Sequence, residues 1–138
     1  MVLDTLVYSA SFLLIPINIA AIRNNYLLMN MYIALLATSW ATHSIWHVKD
    51  EKCKTVYCYL DNIICYSTIA VSFMYGILYA PFIQFLIYCV ALSVVFFCYY
   101  ELKDNPNYHK RGLENWHHHK THILMHVSTV IGLSMVAF

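Results

Sequence analysis

Long apolar runs dominate this chain and limit the folds that it can adopt. Hydrophobic residues make up 61% of the 138 residues, whereas charged residues make up only 11%. A soluble domain carries about 25% charged residues, and its surface helices show one apolar face rather than an unbroken apolar run. Roughly 20 consecutive apolar residues cross a bilayer as a helix. The composition therefore predicts an integral membrane protein built from helices.

Polar residues divide the apolar sequence into separate runs. The segment Arg23-Asn24-Asn25 separates the first run from the second. A charged stretch from Lys49 to Lys54 separates the second run from the third. We predict an all-α, polytopic transmembrane bundle of about five spans, forming one domain over residues 1–138. Pro81 is expected in the first turn of the fourth span, because that position needs no backbone N–H. The predicted spans are approximately Leu3–Ile22, Tyr26–His47, Tyr57–Tyr79, Pro81–Tyr100 and His118–Phe138.

The basic residues orient these spans. Cytosolic loops of membrane proteins carry an excess of Lys and Arg. Seven of the eight Lys and Arg residues fall on one predicted face, and only Arg23 falls on the other. We therefore expect the N-terminus in the cytosol and the C-terminus on the extracytosolic face. The net charge of +1 gives no reason to expect binding to nucleic acid.

Histidines are concentrated at the start of the last apolar run. Five of the eight histidines lie in the ten residues from His117 to His126. His118, His122 and His126 recur every four residues and therefore share one face of a helix. The chain is apolar from Ile123 onward, so His122 and His126 are expected inside the membrane. An ionisable side chain there is costly and indicates a functional site.

The predicted topology brings further polar residues to the same depth. Ser39, His43 and His47 share a face at the cytosolic end of span two, and Asp61 lies about one turn into span three. Three imidazoles near a carboxylate are typical of a catalytic zinc site, which takes three protein ligands and keeps one position for water. The expected ligands of Zn²⁺ are His43, His122 and His126, with His47 and His118 as alternatives.

Asp61 and Ser39 are the predicted catalytic residues. Zinc lowers the pKa of its bound water to about 7. Asp61 is expected to act as the general base, and Ser39 to hydrogen-bond the water or the developing oxyanion. Structural roles stay open at this point. In this alternative to catalysis, Asp61 would cap the positive N-terminal end of span three, and the Ser39 hydroxyl would hydrogen-bond the backbone of its own helix.

These residues, in this order, resemble the CREST superfamily of membrane proteins, which contains alkaline ceramidases, progestin and adipoQ receptors, and bacterial hemolysin-III-like proteins. The motif carrying the resemblance is Ser39-Trp40-Ala41-Thr42-His43, then Leu60-Asp61-Asn62, then His122-Ile123-Leu124-Met125-His126. The resemblance implies one zinc ion held by His43, His122 and His126, with Asp61 and Ser39 around its bound water. It also implies hydrolysis of a lipid amide such as ceramide.

The resemblance has one departure, in the number of spans. The superfamily has seven spans, whereas this chain is predicted to have about five. The two absent spans would form part of the wall of the lipid-binding cavity. In a homo-oligomer, a second copy of the chain would supply this part of the wall.

The sequence thus predicts a zinc-dependent intramembrane hydrolase that acts on an acyl amide or ester of a membrane lipid. Two alternatives stay open. A membrane di-iron lipid hydroxylase or desaturase is also helical and rich in histidine, although the several His-x-x-His-His boxes of such enzymes are absent from this sequence. The other alternative is a membrane protein without enzymatic activity, either a metal- or haem-binding protein or a receptor-like member of the same superfamily.

Overall fold

The computed structural model describes residues 2–44, 51–104 and 116–138, with the side chains of residues 7–44, 55–102 and 120–138. These parts of the chain form six α-helices. The all-α prediction is therefore confirmed. The helices are α1 Val2–Ser11, α2 Leu14–Ile22, α3 Tyr26–Ser44, α4 Glu51–Tyr79, α5 Phe82–Asp104 and α6 Trp116–Ala137.

The first predicted span is interrupted. A turn at Phe12 and Leu13 separates α1 from α2. In this turn the Phe12 amide donates to the Ser9 carbonyl at 3.3 Å, and the Leu13 amide donates to the Ala10 carbonyl at 3.0 Å. Such bonds between residues three apart tighten the backbone relative to an α-helix. α1 and α2 both pack against α3 and α6.

The break between α2 and α3 lies where the sequence predicted it. Asn24 has φ 57°, a left-handed conformation that asparagine tolerates better than most residues. The amides of Asn24 and Asn25 donate to the carbonyls of Ala21 at 3.0 Å and Ala20 at 2.8 Å, which closes α2. The side-chain oxygen of Asn25 accepts the Leu28 amide at 3.2 Å and caps α3.

α4 and α5 begin at residues that differ from the prediction. α4 starts at Glu51, so the residues up to Lys54 belong to its first turns instead of a loop. α5 starts at Phe82, and the carbonyl of Pro81 accepts the Phe85 amide at 3.0 Å. Pro81 therefore precedes the helix as its N-terminal cap and does not lie in the first turn. The missing N–H of proline is harmless there, because this position makes no helical N–H bond.

α3 and α6 form the centre of the bundle. α6 packs against α1, α2, α4 and α5, and α3 packs against α1, α2 and α4. Tyr32 of α3 is fully buried, with its hydroxyl 3.3 Å from the Ser72 hydroxyl of α4. The same hydroxyl donates to the Leu133 carbonyl of α6 at 3.4 Å. These contacts join α3, α4 and α6 about three helical turns from His43 along α3.

Two helical segments are long and apolar enough to cross a membrane. They are Thr55–Tyr79 within α4 and Phe82–Leu102 within α5, with mean hydropathies of 1.4 and 2.2. Only 17% and 22% of their apolar windows are buried inside the structure, so most residues in these windows keep part of their surface exposed. The other predicted spans fall short of this test in the described residues, and the five-span count stays a prediction.

Candidate metal centre

Three histidines from two helices meet inside the bundle. The ring centroid of His43 in α3 lies 5.0 Å from that of His122 and 5.3 Å from that of His126, both in α6. The centroids of His122 and His126 are 4.8 Å apart. One ligand nitrogen from each ring lies within 4.8 Å of the other two. The structure therefore contains a three-histidine cluster that could bind a metal ion.

The spacing of the three nitrogens fits a metal site after small side-chain adjustments. A zinc–nitrogen bond is about 2.0–2.1 Å long, which places two nitrogens of a tetrahedral site about 3.3 Å apart. Nitrogens within 4.8 Å of one another must therefore approach by about 1.5 Å at most. Small rotations about χ1 and χ2 can supply this movement. Imidazole ligands suit zinc, copper, iron and nickel, so the donor set leaves the identity of the metal open.

Helix geometry explains how the cluster forms. His122 and His126 are four residues apart and therefore lie one above the other on the same face of α6. His43 is the penultimate residue of α3, and side chains in a helix lean toward its N-terminus. The His43 side chain therefore leans toward Ser39, one turn earlier. Ser39 and His43 are buried, with exposed fractions of 5% and 8%.

Asp61 lies farther from the start of its helix than the sequence predicted. α4 begins at Glu51, so Asp61 is nearly three turns inside the helix. It therefore does not cap the N-terminus of α4, and the capping alternative is excluded. The Thr42 hydroxyl donates to the Tyr57 carbonyl at 3.2 Å, and Thr38 is within hydrogen-bonding reach of the Asp61 carboxyl. These two contacts place Asp61 about one turn deeper along α3 than Thr42.

The Asp61 carboxyl has unused hydrogen-bonding capacity. Its Oδ1 atom is buried and has no hydrogen-bond partner among the residues that the structure describes. Buried polar atoms in proteins nearly always have a partner. The neighbouring α3 side chains therefore leave one carboxylate oxygen available to a water molecule or to a proton donor.

The hydroxyls of Ser39 and Thr38 differ in their hydrogen bonding to the backbone of α3. The Thr38 hydroxyl donates to the Ala34 carbonyl at 3.0 Å, the usual bond of a hydroxyl residue within a helix. Within the described residues, the Ser39 hydroxyl donates to no carbonyl of α3. The backbone-bonded alternative for Ser39 is therefore not adopted, and its predicted role at the oxyanion stays a prediction.

Ser9 was not predicted from the sequence, yet it contacts the cluster directly. Its Oγ atom lies 2.8 Å from Nδ1 of His126, and Ser9 is 3% exposed. The bond occupies one ring nitrogen of His126 and leaves Nε2 for a metal. Ser9 belongs to no motif, and only the packing of α1 on α6 brings it to the site. A polar residue inside a predicted membrane span was the available signal.

A second hydroxyl of α1 contacts α3. The Trp40 indole nitrogen donates to the Ser11 hydroxyl at 3.2 Å. That hydroxyl in turn donates to the Val7 carbonyl at 2.9 Å. Trp40 lies between Ser39 and His43 in sequence. α1 therefore holds both helices that carry the histidines.

Both predicted alternative ligands lie outside the described side chains. His47 lies outside the described residues, and His118 lies in α6 with its side chain outside the described side chains. Their role as alternative ligands stays a prediction.

Comparison with protein-family models, with curated proteins and with solved structures returned no match for this chain. The resemblance to the CREST superfamily therefore rests on the sequence motif alone.

Proposed function

We propose that this chain is a membrane-embedded zinc hydrolase that cleaves an acyl amide, such as that of ceramide, or an acyl ester of a membrane lipid. The three-histidine cluster, with one ligand nitrogen from each ring within 4.8 Å of the others, carries the proposal. Its ligands come from α3 and α6, which are distant in sequence. Asp61 is a buried carboxylate with one oxygen that has no hydrogen-bond partner among the described residues, and we propose it as the base of the reaction.

A zinc ion at the cluster supplies a Lewis acid and a water molecule that is acidic enough to react at neutral pH. The residues of the chain have separate tasks around it. His43, His122 and His126 hold the metal. Asp61 accepts a proton from the attacking water and later donates it to the leaving group. Ser39 donates a hydrogen bond to the oxyanion that develops on the carbonyl.

The outward-facing apolar side chains support the membrane location. Exposed fractions on α4 and α5 reach 62% at Leu78, 77% at Phe82 and 65% at Phe97. Soluble proteins rarely expose large contiguous apolar patches, whereas a bilayer covers them. We propose five spans, a cytosolic N-terminus and an extracytosolic C-terminus, because this topology also places the basic residues on one face.

A small cavity lies deeper in the bundle than the histidines. Its volume is about 20 Å³, which is close to the space needed for one water molecule. We propose that the alkyl tail of the lipid enters here, since the lining is mostly apolar. Binding a chain requires the surrounding side chains to move apart. The residues lining the cavity include Leu35, Cys65, Thr68, Leu92, Ser128 and Gly132.

Membership of the CREST superfamily is part of the same proposal. Two observations support it. The motif residues follow the order of the superfamily along the chain, and the rings of His122 and His126 lie next to that of His43. The superfamily's seven spans enclose the lipid cavity. We therefore propose that two copies of this chain associate to complete the cavity wall.

Elemental analysis of the purified protein tests the metal. We expect one zinc per chain in the wild type and severe loss in His126→Ala, with Ser134→Ala on the same helix as a control. Two irons per chain would indicate the di-iron oxidase, and a Soret absorption band would indicate haem. A panel of ceramides and acyl esters then tests hydrolysis. Zinc binding without cleavage of any lipid would instead support a sensor- or receptor-like protein.

A further inference from the structure

We propose that Ser9 is a positioning residue of the metal centre. Its hydroxyl accepts the Nδ1–H of His126 and thereby presents Nε2 of that ring to the metal. This inference rests on the proposed metal site but not on the proposed hydrolysis.

The contact has the short donor–acceptor distance of a good hydrogen bond. The Ser9 Oγ atom and His126 Nδ1 are 2.8 Å apart, near the short end of the range for bonds between nitrogen and oxygen. Ser9 is 3% exposed, so water has little access to its hydroxyl. α1 packs directly on α6. The bond therefore joins the first helix of the chain to a ligand on the last.

The chemistry of imidazole gives this bond a consequence for metal binding. A neutral imidazole carries one N–H and one nitrogen lone pair, and only the lone pair can bind a metal. When Nδ1–H donates to Ser9, the lone pair lies on Nε2. Ligand histidines in proteins almost always donate their other N–H to such a partner, which fixes the tautomer and the ring orientation. Ser9 is in the position to do this for His126.

α1 offers a matched control for this role. Ser9 and Ser11 are two residues apart on the same helix. Each hydroxyl contacts one of the two helices that carry the three histidines. Ser9 bonds a histidine ring of α6, whereas Ser11 accepts the Trp40 indole of α3. Loss of either hydroxyl weakens the packing of α1. Only loss of the Ser9 hydroxyl affects a metal ligand.

The test is a zinc titration of the full-length, metal-free protein in detergent against a competing chelator. Loss of such a partner lowers metal affinity by about 10–100-fold, and we expect that loss in Ser9→Ala. Ser11→Ala is expected to bind zinc as the wild type does. Ser9→Thr and Ser9→Val form a second pair with nearly the same shape, of which only the threonine keeps the hydroxyl. We expect zinc affinity to be retained in Ser9→Thr and lost in Ser9→Val.

Nitrogen NMR of labelled histidine in the metal-free protein provides a readout that a merely structural role would not change. We expect His126 to carry its proton on Nδ1 in the wild type and to populate the other tautomer in Ser9→Ala. Equal zinc affinity and an unchanged tautomer in Ser9→Ala would overturn the inference. Absence of zinc binding in the wild type would instead refute the proposed metal site. The two failures are therefore distinguishable.

Discussion

Replacing His43 by alanine removes the imidazole ring that α3 contributes to the three-histidine cluster. His122 and His126 remain one turn apart on α6, with their ring centroids 4.8 Å apart. They form a two-ligand site on one helix, which no longer joins α3 to α6. The substitution therefore tests whether the metal centre spans the two helices, and not only whether the α6 pair binds metal.

The expected loss of affinity follows from the number of ligands. Structural zinc sites with four protein ligands bind with about 10–16 kcal/mol in total, which corresponds to about 2.5–4 kcal/mol per ligand. We expect His43→Ala to raise the dissociation constant for zinc on the order of 10²–10³-fold. Competition with a chelator of known affinity measures this change.

The controls are the two histidines that the sequence left as alternative ligands. His47→Ala and His118→Ala are expected to bind zinc like the wild type. Unchanged affinity in His43→Ala would refute the cluster as the metal site. If His47→Ala loses zinc while His43→Ala keeps it, the third ligand is His47 instead of His43. The C-terminal end of α3 would then have to present a different histidine to His122 and His126.

Three further predictions concern the base, the topology and the packing. Asp61→Asn should keep zinc but slow hydrolysis by about 10²–10⁴-fold, measured as kcat on the cleaved lipid; loss of zinc would make Asp61 a ligand or the orienting partner of one. Tags at the two ends should map to opposite faces by protease accessibility, and termini on the same face would refute the five-span count. Gly76→Ala places a Cβ atom 2.7 Å from the Phe85 ring, and we expect it to cost about 1–3 kcal/mol in unfolding free energy; a thermal-unfolding midpoint equal to that of the wild type would show that the ring moves aside freely.

The features that the sequence determined are those controlled by local periodicity. Runs of apolar residues predicted helices, and the described residues are helical. The segment Arg23-Asn24-Asn25 predicted a break between the first two apolar runs, and α2 ends and α3 begins there, because Asn24 adopts the left-handed conformation and the Asn25 side chain caps α3. The four-residue spacing of His122 and His126 placed them on one face of one helix. Each of these properties depends on a few neighbouring residues.

Helix packing alone decided the features that depend on distant residues. The sequence named His43 and the α6 pair as partners, but the short distances between their rings arise only in the folded bundle. Ser9 reaches His126 only because α1 lies on α6. Asp61 lies nearly three turns inside α4 because this helix begins several residues before its apolar run. A helix continues through charged residues when its backbone hydrogen bonds are satisfied, so apolar runs alone do not mark where it begins or ends. They also do not show which side chains of different helices will be in contact.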